Sequence, residues 1–170
     1  MIPEGNFFTG GYILVSNFPF PWWDKTVTIY NKLIDPTTQH ITWYKTTCEN
    51  CFWKCTNTLF NMGRYGVSTL GVRIEDKEIV CRIPESDKFV DKRVWDTLDE
   101  SEREDTFTLA NGDIIVLGEV DDVIDEYTEG QRSTDLITKY KAYDECLEVN
   151  AYVNNCQTGS NLRHYRIIGK

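Results

Sequence analysis

The stretch TVTIYNKLIDPTTQHITWYKTT, residues 26–47, decides the fold class. Val27, Ile29 and Leu33 alternate with Thr28, Tyr30 and Lys32, the two-residue period of a strand. Asp35-Pro-Thr-Thr-Gln39 follows with turn chemistry, since proline holds φ and Asp bonds to nearby backbone. His40-Ile-Thr-Trp-Tyr-Lys-Thr-Thr47 then reads as a returning strand, so the whole segment predicts a β-hairpin.

Immediately downstream, TTCENCFWKCT (residues 46–56) carries Cys48, Cys51 and Cys55, half of the six cysteines in the chain. The spacing C-x2-C-x3-C raises the question of a metal site. Zinc takes four ligands, normally as two pairs or as a Cys/His mixture. Cys81, Cys146, Cys156, His40 and His164 remain, and none forms a second paired motif. Phe52 and Trp53 mark the segment as a strand, in which Cys51 and Cys55 share a face while Cys48 does not. The three cysteines are weak metal candidates, and buried reduced thiols are the expectation. No cofactor is called for.

Further strands are expected at Cys51–Thr58, Leu70–Ile74 and Ile79–Ile83, the last two joined by a polar turn at Glu75–Glu78. Residues 84–105 read as a long polar connection ending in a solvated acidic run, Asp99-Glu-Ser-Glu-Arg-Glu-Asp105. Phe107–Val120 contains Asn111-Gly112, a type I′ hairpin signal. A short helix is expected at Thr134–Tyr143, then a strand in which Leu147, Val149, Ala151 and Val153 face one way, then a last strand at His164–Lys170. The sum is a mainly β chain: a small barrel or sandwich of seven to nine antiparallel strands with one short helix. Residues 25–170 form one β-rich domain, preceded by an extended arm over residues 1–24. Prolines 19 and 21 exclude helix and central strand from that arm. Its aromatics Phe18, Phe20, Trp22 and Trp23 either cover the domain's own core or dock on a neighbour, and are the interface candidates.

Composition narrows the function. A formal charge of −9 opposes specific binding to nucleic-acid phosphates. No segment has the length of a membrane span or the form of an export signal, so synthesis in a reducing cytoplasm is expected. The acidic run Asp121–Glu126 with Glu129 lacks the glycine and ligand period of a calcium loop and reads as a solvated strand end. Ser68, Ser101, Ser133 and Ser160 sit in no nucleophile elbow, and no phosphate-binding or H-E-x-x-H motif occurs, so no enzyme is expected.

Several phrases in order resemble a family of small tailed-bacteriophage proteins. These are Thr28-Ile-Tyr-Asn-Lys32, Asp35-Pro36, Thr42-Trp-Tyr-Lys-Thr46, Asn50-Cys-Phe-Trp53, Arg82-Ile-Pro-Glu85, Phe107 through Gly118, and His164-Tyr-Arg-Ile-Ile-Gly-Lys170. The family's genes lie between those for capsid and tail. Its "G-D-x-I-V-x-G" strand is similar to one in head-closure and head–tail joining proteins, small β-barrels stacked in a ring beneath the portal. The resemblance implies a virion structural protein of the neck or connector, made in the host bacterial cytoplasm. It would act through contacts with itself in a ring and with other phage proteins on the portal or tail side, with DNA passing nearby. A different class stays open: an acidic phage inhibitor that mimics DNA toward a host defence protein, with the carboxylates of 99–105 and 119–129 as its face.

Overall fold

The structure, a computed structural model, describes residues 22–61, 73–157 and 162–169. Six strands appear among them: β1 (Lys25–Ile34), β2 (Ile41–Asn61), β3 (Arg73–Pro84), β4 (Ile114–Leu117), β5 (Cys146–Asn154) and β6 (His164–Gly169). They close into an antiparallel barrel in the order β1-β2-β3-β6-β5-β4. Three short helices complete it: α1 (Lys92–Trp95), α2 (Glu100–Asp105) and α3 (Ser133–Lys141).

The chain is thus mainly β and forms a barrel rather than a sandwich. The strand count among the described residues is six, where the sequence predicts seven to nine, because predicted strands fuse. The hairpin of residues 26–47 forms with Ile34 opposite Ile41, but its second strand runs on through the cysteine segment to Asn61. Likewise the expected strand Leu70–Ile74, whose residues 70–72 lie outside the described ones, and the expected strand Ile79–Ile83 do not flank a turn. Glu75–Glu78 lies inside β3, with Glu75 opposite Leu59 and Glu78 opposite Thr56. A run of charged residues without Gly, Pro or Asn reads as a turn by polarity alone, yet nothing in it breaks an extended backbone.

The cysteine expectation is corrected by a β-bulge. Lys25 pairs with Cys51 but Val27 with Cys48, so β2 spends an extra residue here, and Asn50 takes φ +56°. One inserted residue flips the parity of everything beyond it. Tyr44, Thr46 and Cys48 face the interior before the bulge, and Cys51 and Trp53 after it. Cys48 therefore joins Cys51 in the core. β5 repeats the device: its register against β6 shifts between Val149 and Ala151, leaving Ala151 and Val153 exposed while Tyr152 packs on the core.

Asn111-Gly112 makes a turn but no two-stranded hairpin. Only Gly112 has positive φ (+89°), whereas a type I′ turn needs it at both central residues. Residues 107–110 bridge to the 85–91 loop through Phe89–Phe107 instead of forming a strand. The polar connection also contains two helices. Asp91 accepts a hydrogen bond from the Arg93 N–H to start α1, and Glu102 accepts one from the Asp99 N–H at the start of α2. No helix among the described residues is long and apolar enough to cross a membrane.

Two cores result. Val27, Ile29, Ile83, Ile115, Leu147 and Ile167 fill the barrel. On the outside of the β1-β4-β5 wall, Tyr30, Ile114, Val116 and Cys146 pack against Leu136 of α3 and against Val120 and Ile124. β1 is consequently buried on both faces, and its alternating pattern conceals this because Thr28 and Tyr30 carry the second face.

The bulge supplies the first test. Replacing Asn50 with Gly is expected to leave stability nearly unchanged, whereas Asn50→Val should cost about 1–2 kcal/mol from left-handed strain. Urea denaturation of the two variants side by side checks it.

Candidate functional site

Two of the sequence phrases in the resemblance meet inside the barrel mouth. Asn31 and Asp113 are both buried, Asp113 at 1% exposure. The Asn31 Nδ2 donates to Asp113 Oδ2 at 2.9 Å and to the Thr108 carbonyl at 2.7 Å. Asp113 Oδ1 accepts from the Lys32 N–H at 2.9 Å, and Oδ2 from the Ala110 N–H at 2.8 Å. The β1–β4 ladder ends at Tyr30 opposite Ile114, so this side chain continues the seam one residue further. Burial pushes the Asp113 carboxyl up to about 6, against the opposing pull of its three donors and of Lys92. Gly118, at the other end of the same phrase, has φ +95°, and its N–H donates to the Thr26 carbonyl at 2.7 Å. The phrase Phe107–Gly118 is therefore the closing clasp of the barrel. Lys92 of α1 reaches over its Lys32 end, with Nζ donating to the Lys32 carbonyl at 2.8 Å.

The thiols are structural in their surroundings. Burial raises the Cys48 pKa to about 12 and pushes Cys51 and Cys81 up strongly. Cys55 is half-exposed and is raised by partial desolvation and by Asp144. Among the described residues no three His, Cys, Asp or Glu side chains converge as a metal site. His40 stacks on Tyr127 at 4.4 Å, and the His164 ring contacts Asn155 and the Leu162 carbonyl, so the two histidines lie in separate places.

The acidic run at 121–126 is a strap, correcting its reading as a solvated strand end. Asp122 accepts from Lys139 at 2.8 Å and from the Tyr140 hydroxyl, and both contacts hold its carboxyl below the usual range. Its backbone carbonyl accepts from the Tyr30 hydroxyl at 2.8 Å. Glu126 accepts from the Trp43 indole at 2.8 Å, and Asp125 closes the following turn through Tyr127 and Thr128. By contrast Asp99, Glu100, Glu104 and Asp105 form no ion pair among the described residues.

Of the four interface candidates, Phe18 and Phe20 lie outside the described residues. Trp23 is 4% exposed and packs on Phe52 and edge-on against His164, so it belongs to the barrel's own outer wall. Trp22 beside it is 56% exposed.

The feature that sequence reasoning missed is a projecting ribbon. β2 pairs with β1 only as far as Cys51, and β3 with β6 only from Cys81. From Lys54 opposite Val80 out to Asn61 opposite Arg73, the two strands pair with each other and with no other described strand. That is about 25 Å of ribbon at roughly 3.3 Å per residue. Partway along it Lys77 reaches Asp144 at 2.9 Å, and at its base the Trp53 indole donates to the Asp144 carbonyl at 3.3 Å. The absence of any breaker from Glu75 to Glu78 is the signal that could have found it.

The chain belongs to DUF6751, a family of unknown function whose model matches residues 22–170. The match begins at the exposed tryptophan that precedes the barrel. No curated protein and no solved structure matches the chain.

Two measurements test this geometry. Asp113→Ala leaves the Asn31, Lys32 and Ala110 donors unpaired and should cost about 1–3 kcal/mol. Because the folded-state pKa lies above the unfolded one, the carboxyl's titration-linked stabilisation is complete below about pH 4 and is lost as pH rises through about 6. The stability gap between wild type and variant should therefore narrow over that range, and a gap independent of pH would contradict the buried carboxyl. Separately, maleimide labelling of native protein should modify Cys55 first, with Cys48, Cys51 and Cys81 reacting only after denaturation.

Proposed function

We propose that the protein is a subunit of a viral neck or connector ring, acting through protein–protein contacts in head completion, head closure or head–tail joining. The observation that carries this reading is the β2–β3 ribbon. An isolated two-stranded ribbon is marginal in water, and its two edges present unpaired N–H and C=O groups that template pairing with another chain. The rest of the described residues are built round a closed barrel. A rigid body with one projecting, incomplete element suits a subunit completed by its neighbour. The order of short phrases shared with tailed-phage proteins supports the same reading, and two of those phrases turn out to form the barrel's clasp. In this reading the segment before Trp22, with Phe18 and Phe20, is a second element available to a neighbour.

The alternative, an acidic DNA mimic that blocks a host defence protein, draws on the unpaired carboxylates of α2. It is the weaker reading, because two carboxylates of the second acidic cluster, Asp122 and Glu126, are engaged by Lys139, Tyr140 and Trp43, and Asp125 closes its own turn.

Native mass spectrometry and electron microscopy of the purified protein should show rings of fixed subunit number, and antibody should detect the protein in purified virus particles. A monomer absent from particles that binds one host protein tightly would favour the inhibitor instead. Removal of residues 1–21 should leave the melting temperature close to that of the full chain but impair assembly. Unimpaired assembly would remove the segment from the contact.

A further inference from the structure

The barrel has two unlike outer walls. The β1-β4-β5 wall is jacketed by α3 and by residues 118–125. Over β2, β3 and β6 the outward positions include Phe52, Lys54, Glu78, Val80, Arg82, Arg166 and Ile168, and Trp23 packs on Phe52 at the margin of this wall. Arg82 stacks over Phe52 at 5.1 Å and stands directly opposite Arg166 in the β3–β6 ladder. Like charges directly opposed in a sheet are destabilising. The one carboxylate near the pair is Glu78, 4.0 Å from Arg166, and the buried Arg82 Nε has no hydrogen-bond partner. Ile168 is 47% exposed beside them. A chain of net charge −9 thus gathers three cations and exposed apolar surface on one uncovered wall.

The complement is on the same chain. α2 exposes Glu100, Glu104 and Asp105, with Asp99 before it, and none is ion-paired among the described residues. α2 sits on the first half of β2, where Arg103 lies over the Tyr44 ring at 5.8 Å. Tyr44 and Lys54 are separated by roughly 30 Å of strand at about 3.3 Å per residue, so helix and wall do not meet within one subunit. Two different patches that complement each other make a head-to-tail contact, which closes into a ring when the rotation allows.

We propose that the wall carrying Lys54, Arg82 and Arg166 receives the acidic helix α2 of a second copy of this chain. The inference rests on the ring reading and names its contact. The partner's carboxylates add acceptors for the opposed arginines beyond the contact of Glu78 with Arg166.

The test compares four samples by native mass spectrometry and light scattering at matched concentration: wild type, R82E/R166E, E100K/E104K, and an equimolar mixture of the two variants. Circular dichroism checks folding, and K54E, altered at an exposed position, replaces the arginine variant if that one does not fold. Wild type should oligomerise, each variant alone should associate at least tenfold more weakly, and the mixture should recover association as a hetero-oligomer. Variants that assemble like wild type, or a mixture that stays dissociated, would overturn this contact while leaving the ring reading intact. A wild type that is monomeric throughout would overturn both. A duplex-DNA shift abolished by R82E/R166E would assign the wall to nucleic acid and overturn the proposal.

Discussion

The structure depends on closing the barrel between β1 and β4, strands separated by some eighty residues of chain. Closure over such a distance sacrifices loop entropy that only local bonds at the seam can offset. The backbone ladder supplies Val27 through Tyr30 and then stops, because the chain must turn away at Gly112. Asp113 takes over with its side chain, accepting from the Lys32 backbone on one oxygen and from Asn31 and Ala110 on the other. A hydrophobic residue would leave those donors unpaired in the barrel mouth. A carboxylate held there is costly to bury, and its raised pKa is the measure of that cost. The seam is thus closed by a group whose burial is tolerated because no neutral side chain accepts from all three donors.

Much of the fold was legible, and the failures share one cause. Period-two alternation identified β1, the returning strand, β5 and β6, and helical spacing identified α3. Alternation presumes an unbroken register, and the bulges at Asn50 and after Val149 each invert it. Cys48 was therefore assigned to the wrong face, and Ala151 and Val153 to the inner one. Polarity misled in the opposite direction at Glu75–Glu78, where charge was taken for a turn although the backbone lacks any residue that would bend it. The helices α1 and α2 were missed because four to six residues are too few for a hydrophobic period to register.

The site was less legible than the fold. Asn31 and Asp113 each stood in a quoted phrase, but nothing in one sequence links positions so far apart. Their pairing is a product of barrel topology. The acidic strap at 121–126 reads from the sequence as a solvated strand end, and its partners Tyr30, Trp43, Lys139 and Tyr140 come from three separate elements. The thiols were the most conspicuous feature of the sequence. Their burial makes them fillers of a small core, where a thiol packs as a compact hydrophobe and remains protonated.

Closure and projection answer the same physical problem in opposite ways. Closing a sheet removes every edge and with it the risk of unprogrammed pairing. Here strand edges recur among the described residues where β2 and β3 outrun β1 and β6, and over a shorter length where Leu33 and Ile34 outrun β4. Trp53, at the base of the β2–β3 stretch, and Lys77, partway along it, both bond to Asp144. A molecule that merely needed a stable barrel would end β2 near Cys51 and start β3 near Cys81, as the lengths of β1, β4 and β6 already do. The surplus strand length adds no closure, and of its residues Ile79, near the base, packs on the barrel core. Its physical effect is to carry strand edges that meet no other described strand beyond the closed barrel.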